Sequence, residues 1–200
     1  ASAAHTLARH MAGSATSHWL AVQHVMRYLQ STIDVALTFN GSGNESVVDV
    51  YSDADFANGV SLKSVSGMVL RMYGNCVFWR SKRQDIIAGD TTEAELIAMS
   101  SAANELMWIK QLCTDLNITA KKPTLWGDNK SANLLAVNPI SGDRTKHIRV
   151  RHVRVRENVE HDEMDVQWVG TKEMRADGIT KTLPGPALSD VRDKLHLRKR

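Results

Sequence analysis

The chain has 200 residues, of which 42% are hydrophobic and 24% are charged, and this composition is typical of a globular chain with one hydrophobic core. No apolar run approaches the roughly 20 residues of a membrane-spanning helix, and residues 1–10 lack the pattern of a secretion signal, so we expect an intracellular protein. The formal net charge of +3 permits a nucleic-acid partner without requiring one.

Residues 1–45 are predicted to form an appendage to the main domain. Apolar residues recur at three- and four-residue steps over Thr16–Gln30, which indicates an amphipathic helix with Thr16 or Ser17 as its N-cap. The Gly-, Ser- and Asn-rich run Asn40–Asn44 is the best linker candidate, so we place a domain boundary after residue 45. The chain does not begin with Met, which suggests a piece of a longer protein.

Three predicted strands open the main domain. Val47–Asp55 alternates in side-chain character and is rich in β-branched residues, which favours a strand over a helix. Ser66–Met72 and Cys76–Ser81 flank the turn sequence Tyr73-Gly74-Asn75 and predict a hairpin. Together the three segments predict an antiparallel meander.

The first of these strands has the acidic residues Asp53 and Asp55 at its end. An ionised Asp53 that is buried among apolar neighbours costs several kcal/mol unless it is paired or binds a cation. The alternative interpretation is that Asp53 or Asp55 opens a turn, because Asn58-Gly59 follows closely.

Helices and strands alternate in the rest of the domain. The basic stretch Lys146–Val159 is ambiguous, but a helix places Val155 and Val159 on one face and most of the arginines on the others. The element order predicts an α/β fold with a mixed sheet flanked by helices. The predicted elements are the helix Thr91–Leu116, the strand Thr124–Asp128, the helix Asn129–Val137, the helix Lys146–Val159, the strand Met164–Val169, a short helix containing Asp177, and a basic C-terminal helix or tail over residues 184–200.

Positive charge is concentrated near the end of the domain. Such clusters are typical of phosphate binding, although a solvated helix face is the commoner explanation of any single one. The clustered basic residues are Arg144, Lys146, Arg149, Arg151, Arg154 and Arg156, followed by Arg198, Lys199 and Arg200 at the end of the chain.

The two cysteines, Cys76 and Cys113, lie in apolar runs. This position favours buried free thiols over a disulfide or a zinc site.

Four carboxylates lie at strand ends or near helix starts, where an open α/β sheet brings ligand-binding groups together. They are far apart in sequence, which excludes a local metal loop of the EF-hand type. If the fold gathers them, they repel one another unless divalent cations are present, and Mg²⁺ suits oxygen ligands best. The alternative is that acids near helix starts only complement the helix dipole. The four residues are Asp53, Glu95, Asp128 and Asp177.

Seven sequence blocks in order resemble the ribonuclease H domain of copia-type LTR retrotransposon polyproteins. Residues 19–29 are similar to the last part of the reverse transcriptase that precedes this domain, so the resemblance covers essentially the whole chain. The seven blocks are Tyr51–Ala57, Ser64–Gly67, Phe78–Gln84, Thr92–Leu96, Gly127–Ala132, Arg144–Ile148 and Ala176–Lys181.

The resemblance implies a ribonuclease H-like fold with a five-stranded mixed sheet and hydrolysis of the RNA strand of RNA–DNA hybrids, which leaves 5′-phosphate products. It makes Asp53 the bridge between two Mg²⁺ ions, which Mn²⁺ can replace, with Glu95 and Asp128 on one side and Asp177 on the other. Glu95 is preferred over Glu93 because it directly precedes the apolar residue Leu96. Three further acids, Asp55, Asp90 and Asp143, are predicted to lie in turns or on the surface.

The resemblance also implies partners and a location. The partners are an RNA–DNA hybrid and the reverse transcriptase domain of the same polyprotein, inside a cytoplasmic virus-like particle, with the nucleus as the alternative. A hybrid is recognised mainly by shape and charge. The predicted nucleic-acid contacts are Arg149, Arg151, Arg154, Arg156, Asn129 and Lys146.

The sequence departs from many members of this family in one loop. Cellular and retroviral members carry a histidine before the last aspartate, but Gly170–Arg175 contains none, as in other copia-type domains. Arg149 also stands where an acid is expected after Lys-His-Ile. His147 and His152 are either packing or substrate-facing residues, with a catalytic replacement for the missing histidine as a further hypothesis.

Two rival functions are compatible with the same sequence. A decayed or repurposed copy would be a non-catalytic nucleic-acid-binding or scaffold module, although retention of four mutually repelling acids argues against it. Another nuclease or a transposase on the same fold is disfavoured by the helix glutamate and the segment similar to reverse transcriptase.

Overall fold

The computed structural model describes residues 2–41, 48–57, 62–118, 120–138 and 154–200. The elements in chain order are α1 (Ser2–Ala8), α2 (Thr16–Ser31), β1 (Val35–Leu37), β2 (Val48–Asp55), β3 (Val65–Met72), β4 (Asn75–Arg83), α3 (Thr91–Asp115), β5 (Thr124–Gly127), α4 (Lys130–Val137), α5 (154–160), β6 (Asp165–Trp168), a 3₁₀ turn (Thr171–Glu173), α6 (Asp177–Thr180), α7 (Gly185–Lys194) and β7 (Leu197–Lys199).

The centre of the molecule is a five-stranded mixed sheet in the order β4-β3-β2-β5-β6. β2, β3 and β4 are antiparallel, and β5 and β6 run parallel to β2. The turn between β3 and β4 contains Tyr73 at φ 50° and Gly74 at φ 78°. Two positive φ angles match the twist of a tight hairpin, so the predicted meander and its turn are confirmed.

One face of the sheet carries the larger core. Leu70 and Leu125 from the sheet pack with Leu96 and Leu106 from α3, and all four are almost completely buried. α5 adds Val155 to this core, as the helical interpretation of the basic stretch predicts. The part of that predicted helix before residue 154 lies outside the described residues, and so do Asp143, Arg144, Lys146, His147, Arg149, Arg151 and His152.

The opposite face is covered by the two ends of the chain. Tyr51 and Val69 pack there against Met174 and Ile179, with Leu37 at the edge. β1 pairs antiparallel with β7 in a second, two-stranded sheet. This pairing joins the predicted appendage to the C-terminal segment, where the sequence predicted a helix or tail and the structure has α7 followed by a strand.

The predicted boundary after residue 45 lies within residues 42–47, outside the described part of the chain. It remains a prediction. Just before it, the Asn40 backbone N–H donates to the Asn75 side-chain oxygen at 2.7 Å, and Asn75 Nδ2 donates to the Asn40 carbonyl at 3.0 Å. Asn40 is therefore hydrogen-bonded to the start of β4.

The first long helix, α2, matches the predicted span closely but its predicted N-cap is wrong. The cap is Ala15, whose backbone N–H donates to His18 Nδ1 at 3.0 Å. α2 buries none of its residues, and its apolar side chains include Trp19 at 62% exposure and Leu20 at 58%. Within the described ranges, no helix has both the length and the hydropathy that a membrane crossing requires.

Candidate metal and catalytic site

Asp53 lies inside the sheet, two residues before the end of β2, so the interpretation of Asp53 as a turn residue is wrong. Its exposure is only 1%. β5 runs parallel to β2 with Gly127 opposite Ser52, and Asp128 therefore follows β5 at the level of Asp53. Two adjacent parallel strands thus bring acids that are far apart in sequence to one edge of the sheet.

A close approach of α6 to Asp53 depends on Gly67, which lies opposite Asp53 on β3. A Cβ atom at this position would lie 2.4 Å from Thr180 Cγ2, closer than packed carbon atoms approach. The missing side chain lets the Thr180 hydroxyl reach Asp53 and donate a hydrogen bond to its Oδ2.

The two candidate glutamates, Glu93 and Glu95, have different contacts in the first turns of α3. Asp90, predicted as a turn or surface acid, is the N-cap of α3, and its carboxylate accepts from the Glu93 backbone N–H at 2.8 Å. The Glu93 carboxylate accepts from the Gly89 backbone N–H at 2.7 Å. Because successive helical residues are about 100° apart, Glu95 points away from this cap and toward the sheet edge.

Three of the four predicted acids form one cluster. Asp53, Glu95 and Asp128 each offer a carboxylate oxygen, and these oxygens lie within 4.8 Å of one another. Asp53 and Glu95 are buried, at 1% and 6% exposure. The cluster lines an open cleft of about 570 Å³, together with Thr91, Asn129, Lys130 and Lys181.

The environment of the cluster opposes the charged forms of Asp53 and Glu95. Burial raises the pKa of Asp53, against the lowering effects of Lys181 and Thr180. Burial, then the charges of Asp53 and Asp128, raise the pKa of Glu95 to about 9. A divalent cation would relieve this repulsion, and three close carboxylate oxygens are the donors that Mg²⁺ and Mn²⁺ prefer. The side chains therefore fit such an ion.

Asp177, the fourth predicted acid, lies at the same site but is engaged differently. It is the first residue of α6, and its Oδ1 atom lies 2.5 Å from the Lys181 ammonium nitrogen. The same ammonium lies 3.6 Å from Asp53 Oδ1. Although burial lowers the pKa of Lys181, the charges of Asp53 and Asp177 outweigh it and raise that pKa above its ordinary value. The ammonium is thus held charged between two acids.

Sequence reasoning did not assign a role to Lys181 or Thr180. Both lie in the block that carries the resemblance, and Lys181 is four residues after Asp177. On a helix, residues four apart share a face, and this spacing was the signal available in the sequence.

The predicted nucleic-acid contact Asn129 lines the cleft and caps α4, since its side-chain oxygen accepts from the Ala132 backbone N–H at 3.0 Å. Beside it, Lys130 lies 4.6 Å from the centre of the Trp168 ring, and Trp168 Nε1 donates to the Asp128 carbonyl at 2.9 Å. Lys130 and Trp168 were not predicted. They form a cationic and aromatic rim next to the acids.

Two of the predicted arginine contacts lie on α5 within the described residues. Arg154 is exposed and its Nη1 donates to Asn104 Oδ1 at 3.4 Å. Arg156 Nε lies 3.5 Å from Glu160 Oε1 on the same helix. Neither lines the cleft, so any contact they make with a ligand lies beyond its wall.

Two relatives that match most of the chain are Pol polyproteins of plant transposons. The chain is 35% identical over 179 residues, 89% of its length, to the retrovirus-related Pol polyprotein from transposon TNT 1-94 of Nicotiana tabacum. It is 32% identical over 199 residues, 98% of its length, to that from transposon RE2 of Arabidopsis thaliana. This chain is a homologue of copia-type Pol polyproteins.

The copia-type homologue spans only a small part of those relatives, 13% of the first and 14% of the second. No family model matches it. Among solved structures, a ribonuclease H1 isolated from compost by a metagenomic approach superposes with a TM-score of 0.52 at 16% identity, over 67% of this chain and 92% of that one. The ribonuclease H-like fold that the sequence predicted is therefore confirmed.

Proposed function

We propose that the chain is a ribonuclease H that hydrolyses the RNA strand of RNA–DNA hybrids with the help of divalent metal ions. The observation that carries this proposal is the cluster of Asp53, Glu95 and Asp128 at the edge of a ribonuclease H-like sheet. The homology to retrotransposon Pol polyproteins supports the same activity, because reverse transcription produces RNA–DNA hybrids.

Asp53, Glu95 and Asp128 would hold the metal. A bound Mg²⁺ or Mn²⁺ ion would activate a water molecule and stabilise the leaving oxygen of the phosphodiester. Asp53 is fixed for this role because it lies within a central strand and the Thr180 hydroxyl orients its carboxylate. Glu95 is fixed by the first turns of α3, which Asp90 and Glu93 cap.

The surroundings of the cleft suit a nucleic-acid backbone. The opening is wide, and Lys130 and Lys181 place positive charge beside the acids. An exposed Trp168 ring stands next to Lys130 and offers an apolar surface to a sugar or base. Arg154 and the basic residues near it would extend the contact to phosphates farther along the hybrid.

The burial of the acids supports catalysis over a purely structural role. Without a metal, burial and two neighbouring acids oppose the ionisation of Glu95 more than the Ala54 backbone and Lys181 favour it. In a scaffold without a metal, replacing Glu95 with a neutral residue of similar size would remove this repulsion. The presence of these acids is therefore better explained by a metal-dependent activity.

The reverse transcriptase domain of the same polyprotein is the proposed protein partner. The exposed apolar side chains of α2, among them Trp19, Leu20 and Met26, support a contact with a preceding domain. As part of such a polyprotein, the domain would act in a cytoplasmic virus-like particle, with the nucleus as the alternative.

The test is cleavage of three labelled substrates, an RNA–DNA hybrid, double-stranded DNA and double-stranded RNA, in Mg²⁺ or Mn²⁺. Only the hybrid should be cut, and only in its RNA strand. Asp53→Asn should abolish cutting, whereas Asp85→Asn, which changes an exposed acid outside the cleft, should not. Hybrid binding without cleavage by the unaltered protein would favour the non-catalytic module, and cleavage of duplex DNA would favour another nuclease.

A further inference from the structure

Asp53 has two sets of acidic neighbours. Glu95 and Asp128 form the three-acid cluster with Asp53. Asp177 is not part of that cluster, and its carboxylate is paired with the Lys181 ammonium at 2.5 Å. The same ammonium is 3.6 Å from Asp53, so it lies between Asp53 and Asp177.

The ammonium and a second divalent ion cannot share this position. Mg²⁺ binds carboxylate oxygens at about 2.1 Å, and the Oδ1 atoms of Asp177 and Asp53 already face the Lys181 ammonium nitrogen, at 2.5 Å and 3.6 Å. Two cations that use the same oxygens also repel each other strongly at this distance. A second ion beside Asp53 therefore requires the Lys181 side chain to move away.

The side chain is able to move. Lysine ends a flexible four-carbon stem, and this one is 37% exposed and lines the open cleft. A phosphate of a bound substrate would give the displaced ammonium a new partner of negative charge. Without substrate, Lys181 and one divalent ion together offset three of the four negative charges of the acids. The remaining negative charge attracts a second divalent ion only weakly.

We propose that Lys181 is a resident cation that occupies the position between Asp53 and Asp177 in the free protein. The free protein then binds one divalent ion, at Asp53, Glu95 and Asp128, and a second ion binds only when Lys181 is displaced. The inference rests on the proposed metal-dependent function and concerns how many ions the resting site holds.

The first test counts bound Mn²⁺ ions by calorimetric titration and by electron paramagnetic resonance, without substrate. The unaltered protein should bind one ion at metal concentrations at which Lys181→Gln binds two. Lys130→Gln, which removes a cation from the same cleft but not from the Asp53–Asp177 side, should still bind one. Adding Asp177→Asn to Lys181→Gln should return the number to one.

The second test needs no altered protein. Reductive methylation with mass spectrometry measures how accessible each lysine amine is. Lys181 should react several-fold more slowly than the exposed Lys121, both in EDTA and with one Mn²⁺ bound. A Lys181 that reacts as fast as Lys121 would overturn the proposal.

Failure of this inference is distinguishable from failure of the proposed function. If the unaltered protein and Lys181→Gln bind the same number of ions, the resident-cation proposal is wrong and the nuclease proposal stands. If the unaltered protein binds no divalent ion, both proposals fall.

Discussion

The side-chain amide of Gln84 donates a hydrogen bond of 2.9 Å to the carbonyl oxygen of Ala94, the residue directly before Glu95. The same amide donates to the Ser66 hydroxyl at 2.9 Å. Gln84 is buried and so connects the end of β4 with β3 and with the first turn of α3. The position of Glu95 thus depends on a residue outside the acid cluster.

Replacing Gln84 with Leu should lower both stability and metal affinity. Two buried partners, the Ala94 carbonyl and the Ser66 hydroxyl, would lose a donor, which typically costs about 1–3 kcal/mol. Denaturant unfolding and Mn²⁺ titration measure the two effects. Gln111→Leu is the matched control, because Gln111 lies on the exposed side of α3 and bonds only to Asp115 among the described contacts. Equal losses in both variants would show that Gln84 does not position Glu95.

The stability of the metal-free protein should depend on pH in a way that shows the raised pKa of Glu95. Its pKa is raised from 4.5 to about 9, with burial as the largest cause. A raised carboxyl pKa means that the folded state holds the proton more tightly than the unfolded state does, so this contribution to stability is present below pH 4.5 and is lost as pH rises toward about 9. In EDTA, the melting temperature of the unaltered protein should therefore fall more steeply with rising pH over this window than that of Glu95→Gln.

Saturating Mg²⁺ should remove that difference in slope, because a cation at the cluster favours the ionised acids. Each kcal/mol of stability corresponds to about 2–4 °C in the melting temperature of a chain of this size. Parallel slopes for Glu95→Gln and the unaltered protein in EDTA would contradict the assignment of the raised pKa to Glu95.

Gly127→Ala should disturb the position of Asp128. A Cβ atom on Gly127 would lie 2.4 Å from Asn133 Oδ1. Asn133 has little freedom to move, since its Nδ2 donates to the carbonyl of Gly127 at 3.0 Å and to that of Gln167 at 3.3 Å. We expect a loss of about 1–3 kcal/mol in unfolding free energy together with weaker Mn²⁺ binding. Gly185→Ala has open space around the added atom and should leave both quantities unchanged.

Arg154→Ala should weaken binding of an RNA–DNA hybrid and reduce its salt dependence. Arg154 is exposed, so its charge is free to approach a phosphate. Loss of one phosphate contact changes the slope of the logarithm of affinity against the logarithm of salt concentration by about 0.9 for duplex DNA. Lys121→Ala removes the same charge from an exposed position before β5, at the end of that strand away from Asp128. An unchanged slope for Arg154→Ala would discard this contact.

The segment before the predicted boundary should stabilise the domain. A chain that begins at residue 46 would lose the β1–β7 pairing, the packing of Leu37 and the Asn40–Asn75 hydrogen bonds. It should melt at a lower temperature than a chain that begins at Ile33, which lacks only α1, α2 and the residues next to them. If the two shortened chains melt together, the boundary after residue 45 is the correct edge of the stable unit.

Local signals in the sequence predicted most of the elements and the order in which they occur. The alternation of Val47–Asp55, the turn Tyr73-Gly74-Asn75 and the helical stripe after Thr91 each depend on neighbours within a few residues. The resemblance then selected Glu95 over Glu93, and the structure places the Glu95 carboxylate in the acid cluster, while Glu93 bonds at the helix cap.

The four candidate metal-binding acids could be chosen from the sequence, because strand and helix ends follow from local patterns and the resemblance marks the same residues. Three contacts became known only from the folded structure: the pairing of Asp177 with Lys181, the hydrogen bond from Thr180 to Asp53 across 127 positions of sequence, and the pairing of β1 with β7. These contacts depend on a missing side chain at Gly67 and on the packing of both chain ends against one face of the sheet. No local sequence pattern encodes contacts between segments so far apart in the chain. They form because folding buries the whole apolar face of the sheet at once.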